Sequence, residues 1–295
     1  MLNLNKILAP VDFSERSTAA AEHAVVMAKH FDSELVFQHV LPPGPYEHGF
    51  FEGGYTPSAV WPNHQEIEAR VREQIEELAK KTSPDRRVEC VVSWGEPVAK
   101  IEELAEHEQV DLLMMPTHGY GPFRRFILGS VTAKVLHDLS CPVFTGAHVA
   151  ELPESTADPY EVVACALDLS AHSESVLLWA WDFAQAWNAK LHLIHAGPTL
   201  DASPVDGQYF PTNLRDTVKR LKTEQAQKLL DKVGAEATIH VECEHVAPYV
   251  EEITKRITAD ALIIGRSPTG GGLMGRLRGN AYSLIREAPC PVISI

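Results

Sequence analysis

"VDLLMMPTHGYGPFRRFILGSVTAKVLHDLSCPVFTG", residues 110–146, is the stretch on which the fold turns. "DLLMMP" is a short apolar run stopped by proline, the pattern of a buried strand. "SVTAKVLHDL" (130–139) reads as a helix and "PVFTG" (142–146) as a further strand. Between the first strand and the helix sit Gly119 and Gly129, separated by nine residues, with Ser130 after the second. Such a loop delivers the chain to a helix N-terminus, where unpaired N–H groups and the positive end of the dipole face an anion. By itself this spacing suits a phosphate-cradling loop and an ordinary strand-to-helix turn equally.

Upstream the same alternation continues. "KILAPVD" (6–12) is a buried strand ending in proline and aspartate. "STAAAEHAVVMAKHF" (17–31) has a helical stripe at Ala20, Ala24, Met27 and Phe31, with Ser17 or Thr18 as the expected cap. "ELVFQHV" is the second strand. "IEARVREQIEELAKKT" (67–82) is amphipathic, with Ile67, Val71, Ile75 and Leu78 on one face. "RVECVVSWG" is the third strand, and "PVAKIEELAEHEQ" a helix with Pro97 early, where its missing N–H costs nothing. Strands alternating with helices predict an open, mostly parallel sheet with helices on both faces. Ligands in such sheets lie beyond the carboxyl ends of the strands, near the switch in strand order.

The whole pattern then repeats. "KILAPVDFSERS" (6–17) parallels "VVACALDLSAHS" (162–173), matching Asp12 with Asp168, and "LVFQHV" (35–40) parallels "LHLIHA" (191–196). "VDLLMMPTHG" parallels "ADALIIGRSP" (259–268), and "SCPVFTG" parallels "PCPVISI" (289–295). Ordered matches at a domain-sized period are a tandem duplication. The expected organisation is one domain over 1–149, a Pro-, Ser- and acid-rich linker "AELPESTADP" (150–159), and a second domain over 160–295. A long Pro-, Gly- and aromatic-rich segment follows the second strand of each copy (41–64 and 197–213), readable as a surface excursion or as a lid.

The chain has 295 residues and a net charge of −14, shared by both halves, without a basic tail or stripe. That argues against nucleic acid and anionic membranes as partners. No apolar run reaches the length of a membrane span, and the N-terminal segment lacks the charged and cleavage regions of a signal peptide. Five scattered cysteines without CxxC suit reduced thiols and a cytoplasmic setting. None of the 14 histidines stands at zinc-site spacing, so no metal site is expected; His48 and His64 with Glu47 and Glu52 form at most an adventitious one. Walker and GxSxG motifs are absent from the sequence, and no nucleophile–base pair is apparent, so efficient turnover is not expected.

The Gly–nine residues–Gly–Ser spacing, "PVDFS" (10–14), "QHV" (38–40) and the "SCPV" and "PCPV" segments resemble the universal stress protein family over nearly the whole chain, as two tandem family domains. The resemblance implies a Rossmann-like, adenine-nucleotide α-hydrolase-like fold: two tandem open, mostly parallel five-stranded sheets with helices on both faces. It implies ATP or AMP, with Mg²⁺ at the phosphates, in a strand-end groove of at least one domain, and a regulatory or sensing role. In the first domain the implied site comprises Pro10, Asp12, the Val40 backbone, Pro116, His118, Gly119, Gly129, Ser130 and Val131. In the second it comprises Asp168, Ala196, Gly265, Arg266, Gly279 and Asn280. The terminal strands of relatives imply an intrachain pseudo-dimer, with a homodimer also open.

Both copies depart from the family pattern of Gly, two residues, Gly, nine residues, Gly, Ser or Thr. Pro116 stands at the first glycine of copy one. In copy two Pro268 stands at the second glycine, ten residues separate it from Gly279, and Asn280 replaces Ser or Thr. Proline has no N–H and fills the space glycine leaves open. These changes favour a rival reading, a protein-interaction module whose pockets have decayed. A nucleotide-dependent transferase is a third, weakened by the lack of a PP-loop or HIGH signature. Asp12 and Asp168 suit either a ligand hydroxyl or the cap of the following turn. His39 and His195 read as core residues, and Arg124, Arg125, Arg266, Arg276 and Arg278 as ligand-facing or solvated charge.

Overall fold

The computed structural model describes residues 2–42, 64–119, 128–146, 159–197, 214–266 and 279–295. All of the expected linker but Pro159, most of both long loops, Pro268, and Arg124, Arg125, Arg276 and Arg278 lie outside the described residues. Two compact units emerge, one built on residues 3–124 and 128–143, the other chiefly on 144–295.

The first copy runs β1 (Lys6–Pro10), α1 (Glu15–Phe31), β2 (Glu34–Leu41), α2 (His64–Thr82), β3 (Val88–Trp94), α3 (Pro97–His107), β4 (Leu112–Pro116), α4 (Ser130–Asp138) and β5 (Val143–Gly146). β1 pairs parallel with β2 on one side and β4 on the other, and β2 pairs parallel with β3. The second copy runs β6 (Val162–Ala166), α5 (Ser173–Ala186), β7 (Lys190–Ala196), α6 (Leu214–Val233), β8 (Thr238–Glu242), α7 (Val246–Arg256), β9 (Ala261–Ile264), α8 (Gly279–Glu287) and β10 (Val292–Ser294). Its order is β8-β7-β6-β9-β10, all parallel. Within each copy the helices pair as layers: α1 with α2 and α3 with α4, then α5 with α6 and α7 with α8. The strand order reverses beside β1 and β6, so the chain opens a crevice between β1 and β4 and between β6 and β9.

The stripes predicted from the sequence face inward. Ala20, Ala24 and Met27 on α1, and Val71 and Ile75 on α2, are buried, as are Leu112–Met115 of β4. One expectation is corrected: the cap of α1 is Ser14, whose side chain accepts from Ser17 N, so the helix begins before Ser17 and Thr18. Asp12 sets this start by drawing Ser14 into the turn. α3 begins at Pro97 as expected, capped by the Glu96 carboxylate on Ala99 N.

The duplication extends to backbone detail. Left-handed residues recur at matched positions: Phe13 and Leu169 after the strand-end aspartates, Asp32 and Asn188 after the first helices, Gln109 and Thr258 after α3 and α7. Asp111 Oδ2 accepts the N–H groups of Asn5 and Lys6 at 2.7 and 3.0 Å. Asp260 Oδ2 accepts those of Glu161 and Val162, both at 2.8 Å. Each aspartate thereby satisfies two donors at the entry to the central strand, where the parallel ladder has not yet begun. Among the described residues no helix is long and apolar enough to cross a membrane.

Candidate functional site

In both copies an aspartate two residues beyond the central strand, Asp12 or Asp168, organises the next turn. Asp12 Oδ1 accepts from Ser14 N at 3.0 Å and Ser14 Oγ at 2.6 Å, while Ser17 Oγ takes the N–H of Asp12 at 3.2 Å. Burial raises the Asp12 pKa, but the bonds from Ser14, Ser17 and nearby backbone N–H groups outweigh it and hold the group below its ordinary value. Asp168 Oδ1 likewise accepts from Ser170 N and Ser173 Oγ, both at 2.9 Å. One oxygen of each carboxylate thus holds the following turn in both copies.

In the first copy Asp12 Oδ2 lies over Gly119: a Cβ there would stand 2.1 Å from it, so a side chain at this position would displace the carboxylate. Gly119 and Asp12 thus meet across the β1–β4 crevice. The base of the loop is pinched by Gly129 N donating to Thr117 O at 2.8 Å, and Thr132 Oγ1 donates to Pro116 O at 3.0 Å. Gly129 caps α4 without a side-chain bond, so Ser130 and Val131 open the helix with their N–H groups uncapped by that residue. Ser130 is exposed and Val131 half-buried. Pro116 ends β4 and is buried; Pro10 ends β1 and Val40 is the last residue but one of β2, both half-buried. His118 is buried, its Nδ1 3.0 Å from Thr117 Oγ1, and burial followed by the Arg16 charge lowers its pKa.

The second copy forms a cavity of about 460 Å³ at the equivalent place, within the usual range for small-molecule sites of roughly 300–1,000 Å³. Asp168, Ala196, Gly265, Arg266 and Asn280, each singled out in the sequence, line it together. Gly279 begins α8 directly beside them. Arg266 is 4% exposed, a buried guanidinium in the wall of the cavity. A Cβ on Gly265 would stand 3.1 Å from Val176 Cγ2, so this end of β9 is already close-packed. Sequence reading missed the apolar wall: Val246 and Val250 from α7, Leu284 from α8, and Ile194 and Ile264 from the strands. The four-residue spacing of Val246 and Val250 was the available signal.

His195 is a buried residue outside the lining of the cavity, and its counterpart His39 is half-buried. His39 Nδ1 bonds Val11 O at 2.7 Å, and His195 Nδ1 bonds Leu167 O at 2.8 Å. Each ties its strand to the carbonyl immediately before the organising aspartate. Side chains alternate along a strand, so Ile194 and Ala196 face the cavity and His195 faces away. His195 is 4% exposed, and burial lowers its pKa.

A duplicated, Rossmann-like α/β domain with a strand-end crevice at each strand-order switch is thereby defined. The model of the Universal stress protein family matches residues 3–145 and again 159–295, and the chain belongs to that family. A universal stress protein of Methanocaldococcus jannaschii is 32% identical over 140 residues, covering 47% of this chain and 79% of that protein. One from Bacillus subtilis is 31% identical over 146 residues, covering 47% of this chain and 96% of its own. The crystal structure of a universal stress protein from Archaeoglobus fulgidus, 21% identical, superposes with a TM-score of 0.70 over 99% of this chain and 96% of that one, which establishes the shared fold.

Proposed function

We propose that this universal stress protein binds an adenine nucleotide in the cavity of its second copy and acts as a nucleotide-responsive regulator rather than as a dedicated catalyst. The observation that carries the reading is the 460 Å³ cavity in which Asp168, Ala196, Gly265, Arg266 and Asn280 converge. Its chemistry is divided as a nucleotide requires. Val246, Val250, Ile194 and Leu284 offer an apolar slot for a base. Asp168 offers an acceptor for a ribose hydroxyl, and the Arg266 guanidinium and Asn280 amide offer donors for a phosphate. The family resemblance supplies the adenine; the described walls supply the fit. In the first copy Asp12, Gly119, Gly129 and Ser130 retain the corresponding frame.

Calorimetric titration with AMP and with ATP plus Mg²⁺ tests the reading. Saturable heat is expected in the wild type, with affinity reduced at least about tenfold in Asp168→Ala, the loss of one charge-assisted bond. Gly265→Val, which pushes a side chain against Val176, is expected to weaken binding as well. No heat from either nucleotide at concentrations suited to micromolar affinity would leave the interaction-module reading standing and remove this one.

A further inference from the structure

The two strand-end histidines make one contact at matched positions. His195 Nδ1 lies 2.8 Å from Leu167 O, and His39 Nδ1 lies 2.7 Å from Val11 O. In each copy the acceptor belongs to the residue just before the organising aspartate. We propose that His195 and His39 are positioning residues: through that carbonyl each imidazole fixes the turn that sets Asp168, or Asp12, at its crevice.

The geometry carries the assignment. A carbonyl oxygen only accepts, so each Nδ1 carries the proton and donates. Leu167 N already donates to Ile194 O at 3.0 Å, and Val11 N to Gln38 O at 2.8 Å. Leu167 O and Val11 O are the acceptors that a parallel ladder would use next. A side chain takes each of them, at the point where the chain leaves the sheet. The residue before the aspartate is thereby tied to the neighbouring strand through both its N–H and its carbonyl. The residue after the aspartate is left-handed in both copies, Leu169 at φ 58° and Phe13 at φ 62°. Residues with a Cβ adopt that conformation only where their surroundings impose it, so the turn is held from both sides. Ser170 N and Ser173 Oγ hold Asp168 from the far side, as Ser14 holds Asp12. The histidine holds it from the near side. Gln225 Nε2 adds a bond to Leu169 O at 3.0 Å, and in the first copy the His39 ring stacks on Phe13 with 4.7 Å between centroids.

The burial of the ring argues the same way. His195 is buried, and its Nε2 has no hydrogen-bond partner among the described residues. A leucine would fill the space without burying an unmet nitrogen. What the imidazole adds is the Nδ1 bond. Asp168 lines the cavity and His195 does not, so the histidine acts on a ligand only through the aspartate. The effect on nucleotide affinity rests on the proposed function; the placement of the two aspartates does not.

The test compares asparagine, whose amide nitrogen stands where Nδ1 stood, with leucine, which donates nothing. Calorimetric titration of the full-length protein with AMP reads the second copy. His195→Leu is expected to lose at least about tenfold in affinity, and His195→Asn to stay within about threefold of the wild type. Carbon NMR of the Asp12 carboxyl, followed through its titration, reads the first copy without any ligand. Burial raises the Asp12 pKa, and the Ser14 and Ser17 bonds outweigh it. His39→Leu is expected to loosen those bonds and bring the pKa up towards 3.8, and His39→Asn to leave it lowered. Circular dichroism and urea midpoints identify folded variants, and the half-buried His39 supplies the decisive pair where a His195 variant does not fold. A wild type that binds no AMP removes the proposed function and leaves the Asp12 titration to decide the positioning role. Full AMP affinity in folded His195→Leu, an unmoved Asp12 titration in folded His39→Leu, or an asparagine variant as impaired as its leucine counterpart would overturn the assignment.

Discussion

His23 lies within α1, 5% exposed, and burial drops its pKa from 6.5 to about 4. Between those values the unfolded chain takes up a proton at His23 that the folded chain refuses. The folded state therefore holds its full stability from this group above about pH 6.5 and loses it progressively as pH falls to about 4. At about 1.4 kcal/mol per unit, the loss across the window is on the order of 3 kcal/mol. His23→Gln keeps a polar side chain that does not titrate there. Urea unfolding of wild type and variant at steps from pH 7 to pH 4, followed by circular dichroism and tryptophan fluorescence, isolates the effect as the difference between the two profiles. The wild-type stability of the first unit should fall more steeply, with the gap approaching the full amount near pH 4. Asp12 does not blur the window: its pKa is lowered from 3.8, so its stabilising contribution persists until pH falls below that value, in both proteins alike. Parallel profiles would refute the reasoning, because they would mean His23 is protonated in the folded state as readily as in the unfolded one.

Other consequences follow from the repeated devices. Asp260→Ala removes the acceptor of two backbone N–H groups and should cost about 2–4 kcal/mol in the second unit, with Asp111→Ala doing the same in the first, as denaturant midpoints will report. Thr258 holds φ 50° at an exposed position after α7, so Thr258→Gly should stabilise by about 1 kcal/mol; an unchanged or lower melting temperature would contradict a strained turn there. Gly119→Ala drives a methyl into Asp12 Oδ2 and should break the Ser14 bonds, costing about 1–3 kcal/mol and leaving the second unit untouched by hydrogen exchange.

Much of the fold was legible because it rests on period and repetition. Short apolar runs ending at Pro10, Pro116 and Ile264, with helical stripes between them, define buried parallel strands wherever they occur in space. Matched phrases around Asp12 and Asp168 define the duplication, and the matched left-handed residues show it reaching the backbone. The start of α1 was misplaced by local reading, because Ser14 becomes the cap only once Asp12 Oδ1 draws its N–H and hydroxyl into the turn. Ser17 looks like a cap in sequence, yet it serves as a donor to one.

The residue types of the candidate site were also visible, but their convergence was not. The one-dimensional motif made the first copy the fuller match, since Gly119, Gly129 and Ser130 keep the family spacing. Among the described residues a partly open cavity lies in the second copy, where α7 and α8 bring Val250 and Leu284 over the ends of β6 and β9. No motif encodes that closure, because it depends on helix packing across residues far apart in the chain. The contact of His195 with Leu167 O is of the same kind. Neither residue stands out in its own segment, and only parallel pairing of β6 with β7 brings the ring nitrogen to 2.8 Å from the carbonyl. Sequence by itself determined which elements exist, their order and their duplication, since these follow from local propensity and hydrophobic period. Tertiary structure alone decided which carboxylate caps, which groove is walled and which side chains touch, because those distances are set by the register and packing of elements that are not neighbours in sequence.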